Sequence, residues 1–161
     1  MATANAKVKT LTDVIDFNSN NEDKAMPYFK QETLESSNAK KGLDDKKYLE
    51  ALAASFEGSK SVLKAVFEEN KLDAICGITM GPACSIDMIY GDRWGGYSLT
   101  SPAAASGYPH ITVPNGIVYD LPVGLSFFGT PYTEGELIGL GYAYEQASKK
   151  RLKPAFKPSF L

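Results

Sequence analysis

The clearest periodic pattern in the chain runs from Asp45 to about Asn70. Tyr48, Leu49, Leu52, Phe56, Leu63, Val66 and Phe67 recur there at helical spacing and predict one long helix with a single apolar face. Asp44 stands where its cap belongs. Gly58 interrupts it at a cost of about 1 kcal/mol relative to Ala, and Ser59 and Ser61 turn that part toward solvent or a small gap. Upstream, Thr10-Leu11-Thr12-Asp13 has the form of a capping box and predicts a short helix to about Asn18. Asn21 to Met26 and Gln31 to Asn38 fit two further short helices, and Ala39 to Gly42 reads as a linker. Near the other end, Thr133-Glu134-Gly135-Glu136 reads as a second capping box. The helix after it runs to about Lys150, with Leu137, Leu140, Tyr144 and Ala147 as its buried face and Lys149, Lys150 and Arg151 where cations favour the dipole.

Between these helices the pattern changes. Leu72 to Ile78 is an apolar run too short for a helix and predicts a buried strand. Ile111 to Val113 and Val123 to Phe128 predict two more strands, with Val118-Tyr119 as a short one between them. Thr79 to Tyr97 is a long loop, and Ser101 to Ser106 a short helix opened by Pro102 and closed by Gly107. The stretch from Gly81 to Gly129 is dense in Gly and Pro and holds the single Trp and His. Such a loop-rich surface over strand ends is where α/β proteins carry ligand sites. The expected fold class is α/β, a few mixed strands packed with helices. The chain is expected to be one unit, mainly helical over 10–70, strands and loops over 72–129, a helix over 133–150 and an extended tail over 152–161.

Several motifs in this region carry a resemblance. TSPAAASGYPHITVPNG and LPVGLSFFG, followed by a helix containing YAYEQAS, look like the C-terminal segment of the amidase signature family. LDAICGITMGPACSIDMIYGD and TLTDVIDFN are similar to it too, in the family's order and spacing, so the resemblance spans about Thr10 to Phe156.

Composition narrows the function classes. The chain has 161 residues, 43% hydrophobic and 22% charged, with a net charge of -2. That lacks the basic field of a nucleic-acid binder. No apolar run approaches the length that crosses a bilayer, and the first ten residues hold no apolar core of a secretory signal. Two cysteines, Cys76 and Cys84, are too few for a disulfide framework and lack metal-ligand spacing. A cytoplasmic setting, no nucleic acid, no membrane, no metal and no cofactor are expected.

Single residues offer candidate chemistry. Ser61 and Lys64 match the S-x-x-K spacing that places both on one helix face, but the partner motifs S-D-N and K-T-G are missing. Ser126 sits in a near miss to a G-x-S-x-G elbow, inside an apolar strand rather than at a strand-to-helix turn. His110 has no nucleophile beside it in sequence. Cys76 reads as a small core residue, and Asp87 and Asp92 as turn formers, with Asp92 bonded to local backbone. Trp94, Tyr97 and Ser98, set among Gly91, Gly95 and Gly96, are the candidate substrate-binding residues, since amphipathic aromatics beside flexible backbone suit a ligand-facing wall.

The resemblance implies an enzyme that hydrolyses or transfers amide groups with a Ser–cis-Ser–Lys set, the serines lying in a GGSSGG-type run. No such run occurs in this sequence, and no catalytic residue is assigned to any position. The resemblance implies instead that this chain supplies fold and pocket wall, with the missing N-terminal part of the amidase as its partner. Exposed strand edges would permit self-association. Family members that draw ammonia from glutamine carry an acidic residue near the position of Tyr97, so Tyr97 implies a less polar amide. The alternative is a non-catalytic amidase-like interaction or regulatory module.

Overall fold

The computed structural model describes residues 7–93 and 95–154. They fall into two compact units, one made of residues up to Leu49 together with Asp87–Gly91, the other of Glu50–Ile86 and the residues from Asp92 onward.

In the first unit, α1 (Leu11–Asn20), α2 (Glu22–Ala25) and α3 (Glu32–Asn38) follow the three predicted short helices. The Thr10 capping box forms as expected: Asp13 N–H donates to Thr10 Oγ1 at 3.1 Å, and the Asp13 carboxylate accepts from the Thr10 N–H at 2.8 Å. That carboxylate also accepts the Lys9 N–H, and these bonds, Lys9 first, hold its pKa below the usual carboxylate range. A buried glutamine ties the unit together. Gln31 Nε2 donates to the Ile15 carbonyl at 3.1 Å and to Ser19 Oγ at 3.0 Å, and Gln31 Oε1 accepts from Asn18 Nδ2 at 3.1 Å.

The long predicted helix is present with an interruption. It is α4 (Lys46–Leu52), a π-helical turn (Ala53–Glu57) and α5 (Gly58–Asn70). Its cap is Asp45 rather than Asp44: the Asp45 carboxylate accepts the Lys47 N–H at 3.1 Å, and its carbonyl accepts the Leu49 N–H. The extra residue of the π turn rotates the apolar stripe by roughly a quarter turn, so the expected single face does not stay together. Tyr48, Leu49 and Leu52 are exposed, while Phe67 is buried.

The second unit is built on a three-stranded antiparallel sheet in the order β1-β3-β2: β1 (Ile75–Ile78), β2 (His110–Val118) and β3 (Leu121–Phe128). Phe128 projects from β3 onto Phe67 of α5, the rings 6.0 Å apart and edge to face. Ala103 of α6 (Thr100–Ser106) and Tyr108 complete this core, with Leu63, Ile75 and Leu99 around it. Gly107 closes α6 in a left-handed conformation, φ 73°, as the sequence predicts. Pro102 lies third in that helix rather than first.

The opposite sheet face carries α7 (Glu134–Ser148). Gly141 lets the helix approach closely, since a Cβ there would stand 3.2 Å from Val113 and 3.3 Å from Ile111. Tyr144 packs edge to face on Phe127 and donates its hydroxyl to Asn115 Oδ1. The inward positions are therefore Leu137, Gly141, Tyr144 and Ser148; Leu140 and Ala147, expected inside, are exposed. The second expected capping box does not form, because the Thr133 hydroxyl turns back to the Thr130 carbonyl at 2.7 Å.

Candidate functional site

β1, β2 and β3 alternate their side chains between the two faces, and α7 occupies the face that carries Ile111, Val113 and Phe127. The other face carries Thr112 of β2, Gly124 and Ser126 of β3, and Thr79 just past β1. Here three hydroxyls converge. Ser126 Oγ donates to Thr79 Oγ1 at 2.7 Å, Thr112 Oγ1 and Ser126 Oγ are 3.2 Å apart, and Thr79 Oγ1 lies 3.5 Å from Thr112 Oγ1. Ser126 is fully buried. The Thr79 N–H donates to the Gly124 carbonyl at 2.8 Å, which pins this residue to β3. Gly124 is required by this crowding: a Cβ would stand 2.6 Å from Thr112 Cγ2 and 2.7 Å from Thr79 Oγ1.

The predicted substrate-binding loop returns onto the same face. The Leu99 N–H donates to the Thr79 carbonyl at 3.0 Å, and Met80 and Ser98 form an antiparallel bridge. The Tyr97 hydroxyl lies over Gly77, 3.1 Å from where a Cβ would be, and the residue is 55% exposed. Tyr97 is thus brought to the face that carries the hydroxyl cluster. Ser98 is engaged in local structure: its Oγ lies 2.6 Å from Thr100 Oγ1 and accepts the Thr100 N–H at 3.2 Å, at the start of α6. Trp94 lies outside the described residues. Toward the hairpin end, a cleft of about 340 Å³ is lined by β2 and β3 residues, Val113, Pro114, Pro122 and Val123 among them, together with Lys150 and Arg151.

The other candidates are not brought to this place. Ser61 donates to the Gly58 carbonyl at 2.9 Å, and Lys64 pairs with Glu68 at 3.8 Å, both exposed on α5. His110 opens β2 opposite Phe128, and its Nε2 is buried without a hydrogen-bond partner among the described residues. Burial of that ring holds its pKa below the usual histidine value. Cys76 is exposed on the outward phase of β1, not in the core as expected. Asp87, rather than Asp92, organises its turn: its carboxylate accepts the Ile89 and Tyr90 N–H groups, each at 2.9 Å. These bonds, Tyr90 first, hold its pKa below the usual carboxylate range. Thr79 and Thr112 are not among the residues that the sequence singles out. The signal available is weak, a hydroxyl at one position of each strand on a phase that register alone reveals.

The chain is 35% identical over 153 residues to a probable amidase from Arabidopsis thaliana, covering 92% of the chain and 26% of that protein. It is 34% identical over 115 residues to a glutamyl-tRNA(Gln) amidotransferase component from a Geobacillus species, covering 67% of the chain and 24% of that protein. The native peptide amidase from Stenotrophomonas maltophilia superposes with a TM-score of 0.82 at 33% identity, covering 94% of this chain and 30% of that one. The chain therefore spans about a quarter of the length of these curated relatives. Profiles of known protein families give no match.

Proposed function

Since the chain belongs to the amidase signature family, as a C-terminal part of its fold, we propose that it is the pocket-wall portion of a hydrolase acting on carbon–nitrogen amide bonds. In this reading it supplies scaffold and substrate contacts but no attacking group, and the serine and lysine that do the chemistry come from the N-terminal part of the enzyme. The observation that carries it is the position of Tyr97, whose half-exposed side chain is held at the sheet face beside the Thr79–Ser126–Thr112 cluster. Such an arrangement offers an aromatic surface edged by hydroxyl groups, which suits an uncharged amide better than an acidic one. Trp94 and Ser98 are the further wall residues of the proposal, with Ser98 holding the start of α6 as well.

The test joins residues 7–161 to the N-terminal portion of the Stenotrophomonas maltophilia peptide amidase, in place of its matching segment. Peptide-amide hydrolysis is then measured for the hybrid and for the 161-residue chain alone. The hybrid is expected to turn over and the chain alone is not. Tyr97→Asp in the hybrid is expected to lower kcat/KM for an apolar amide by roughly 10-fold, the loss that follows from placing an unpaired charge on the wall. Hydrolysis by the chain alone that disappears in Ser61→Ala or His110→Gln would refute the assignment.

A further inference from the structure

We infer that the cleft at the hairpin end of β2 and β3 is a binding site for a small organic carboxylate with an apolar body. The inference goes beyond the proposed function and uses none of the wall residues named there.

The walls of the cleft are apolar. Across the hairpin Ile117 pairs with Pro122 and Gly116 with Val123, and Pro114 stands just before the register shift. That shift, at Asn115, bends β2. The bend is held in place by α7, whose Tyr144 donates its hydroxyl to Asn115 Oδ1. The volume, about 340 Å³, falls at the lower end of the range for small-ligand pockets.

The same helix delivers the charge. α7 ends at Ser148, and Lys149 takes a left-handed conformation, φ 48°, that turns the chain out of the helix. Lys150 and Arg151 lie past that last turn, beyond which the helix dipole falls off, and both line the cleft. The Lys150 stem lies over Gly116, its Cδ 3.9 Å from where a Cβ would stand. Arg151 Nη1 donates to the Leu152 carbonyl at 3.0 Å, which steadies the guanidinium and leaves most of its fork for another acceptor. Among the described residues neither cation pairs with a carboxylate, and no Asp or Glu lines the cleft.

Two cations beside apolar walls select an amphipathic anion. A guanidinium fork matches a carboxylate in bidentate geometry, and the prolines and aliphatic side chains cover a small apolar body. Inorganic phosphate would use the cations and leave the walls unfilled. A neutral alcohol would fill the walls and leave the cations unpaired.

Benzoate, benzyl alcohol and inorganic phosphate are the probes, titrated into the 161-residue chain and into the hybrid and followed by amide shifts and calorimetry. Benzoate is expected to saturate with a Kd in roughly the millimolar range, moving the amides of Gly116, Ile117 and Val123. The other two probes are expected to bind at least ~10-fold more weakly, and Lys150→Gln with Arg151→Gln to weaken benzoate by at least ~10-fold. Both cations are exposed, so the double change leaves the fold in place. Ile117→Asp, at a second exposed position, sets a carboxylate of the chain beside the cations and is expected to abolish benzoate binding. Benzoate binding that survives in both variants, or that benzyl alcohol or phosphate matches, would overturn the inference. So would binding to the chain that is lost in the hybrid, since the rest of the enzyme would then cover the cleft. Absence of saturation in both proteins would overturn it as well. The functional assignment is decided separately, by turnover of the hybrid.

Discussion

Gly124 shows how much a single atom decides in this chain. Its missing Cβ leaves room for Thr112 and Thr79 to close on Ser126, and Gly124→Ala puts a methyl group within 2.7 Å of both. Overpacking of that kind costs about 1–3 kcal/mol, and a fall of several degrees in melting temperature is expected by circular dichroism. His110 makes a second residue-scale prediction. Burial lowers its folded pKa, so the unfolded chain binds the proton more readily. The histidine contribution is therefore complete above the unfolded pKa of about 6.5 and is lost as pH falls from there through the folded value. Urea midpoints measured at pH 7.5 and pH 5.5 are expected to drop on acidification, and His110→Gln is expected to flatten that part of the profile. The burial of the His110 ring is invisible in the sequence, because it depends on the elements packing around it.

At the scale of elements, periodicity locates the helices well and the strands less well. The sequence splits β2 into two fragments because Pro114 and Gly116 interrupt its apolar pattern. The strand absorbs both: Pro114 faces an open edge and needs no donor, and Gly116, at φ 116°, follows the bulged residue. The hairpin turn is hidden for a related reason. Tyr119 and Asp120 both take positive φ, 50° and 63°, the signature of a type I′ turn. Tyr119 does not adopt it cheaply, and Asp120 does so more readily than most residues but is not followed by Gly, so no Asn-Gly signal marks the place. Replacing the pair by Asn-Gly is expected to raise stability by about 1 kcal/mol, most of it from position 119, since a bulky residue in left-handed conformation costs about that much. An increased urea midpoint at unchanged slope checks it. The π turn at Ala53–Glu57 is a third departure, and it explains why the apolar residues before it and after it do not share one face.

At the scale of the molecule, burial is uneven. Among the described residues of the first unit Met26 and Gln31 are buried, whereas the second is built around the Phe67–Tyr108–Phe128 cluster. Regions with few buried apolar contacts open at low free energy, so the amides of α1 to α3 are expected to exchange much faster than those of β2 and β3. Uniform protection across the chain would contradict this. Ile138 and Tyr142 on α7, like Tyr48 and Leu52 on α4, are large apolar side chains left exposed. Among the described residues no helix is long and apolar enough to cross a membrane. The sequence by itself determined the elements that periodicity and capping specify, and its separate motifs carried the kinship to amidases. Those signals are local, and each is complete within one turn of helix or one run of strand. The hydroxyl cluster and the placing of Tyr97 over Gly77 were decided by tertiary structure. They depend on partners as far apart as Ile75 and Phe128 meeting in one register, and strand register is set by packing rather than by the composition of any single segment.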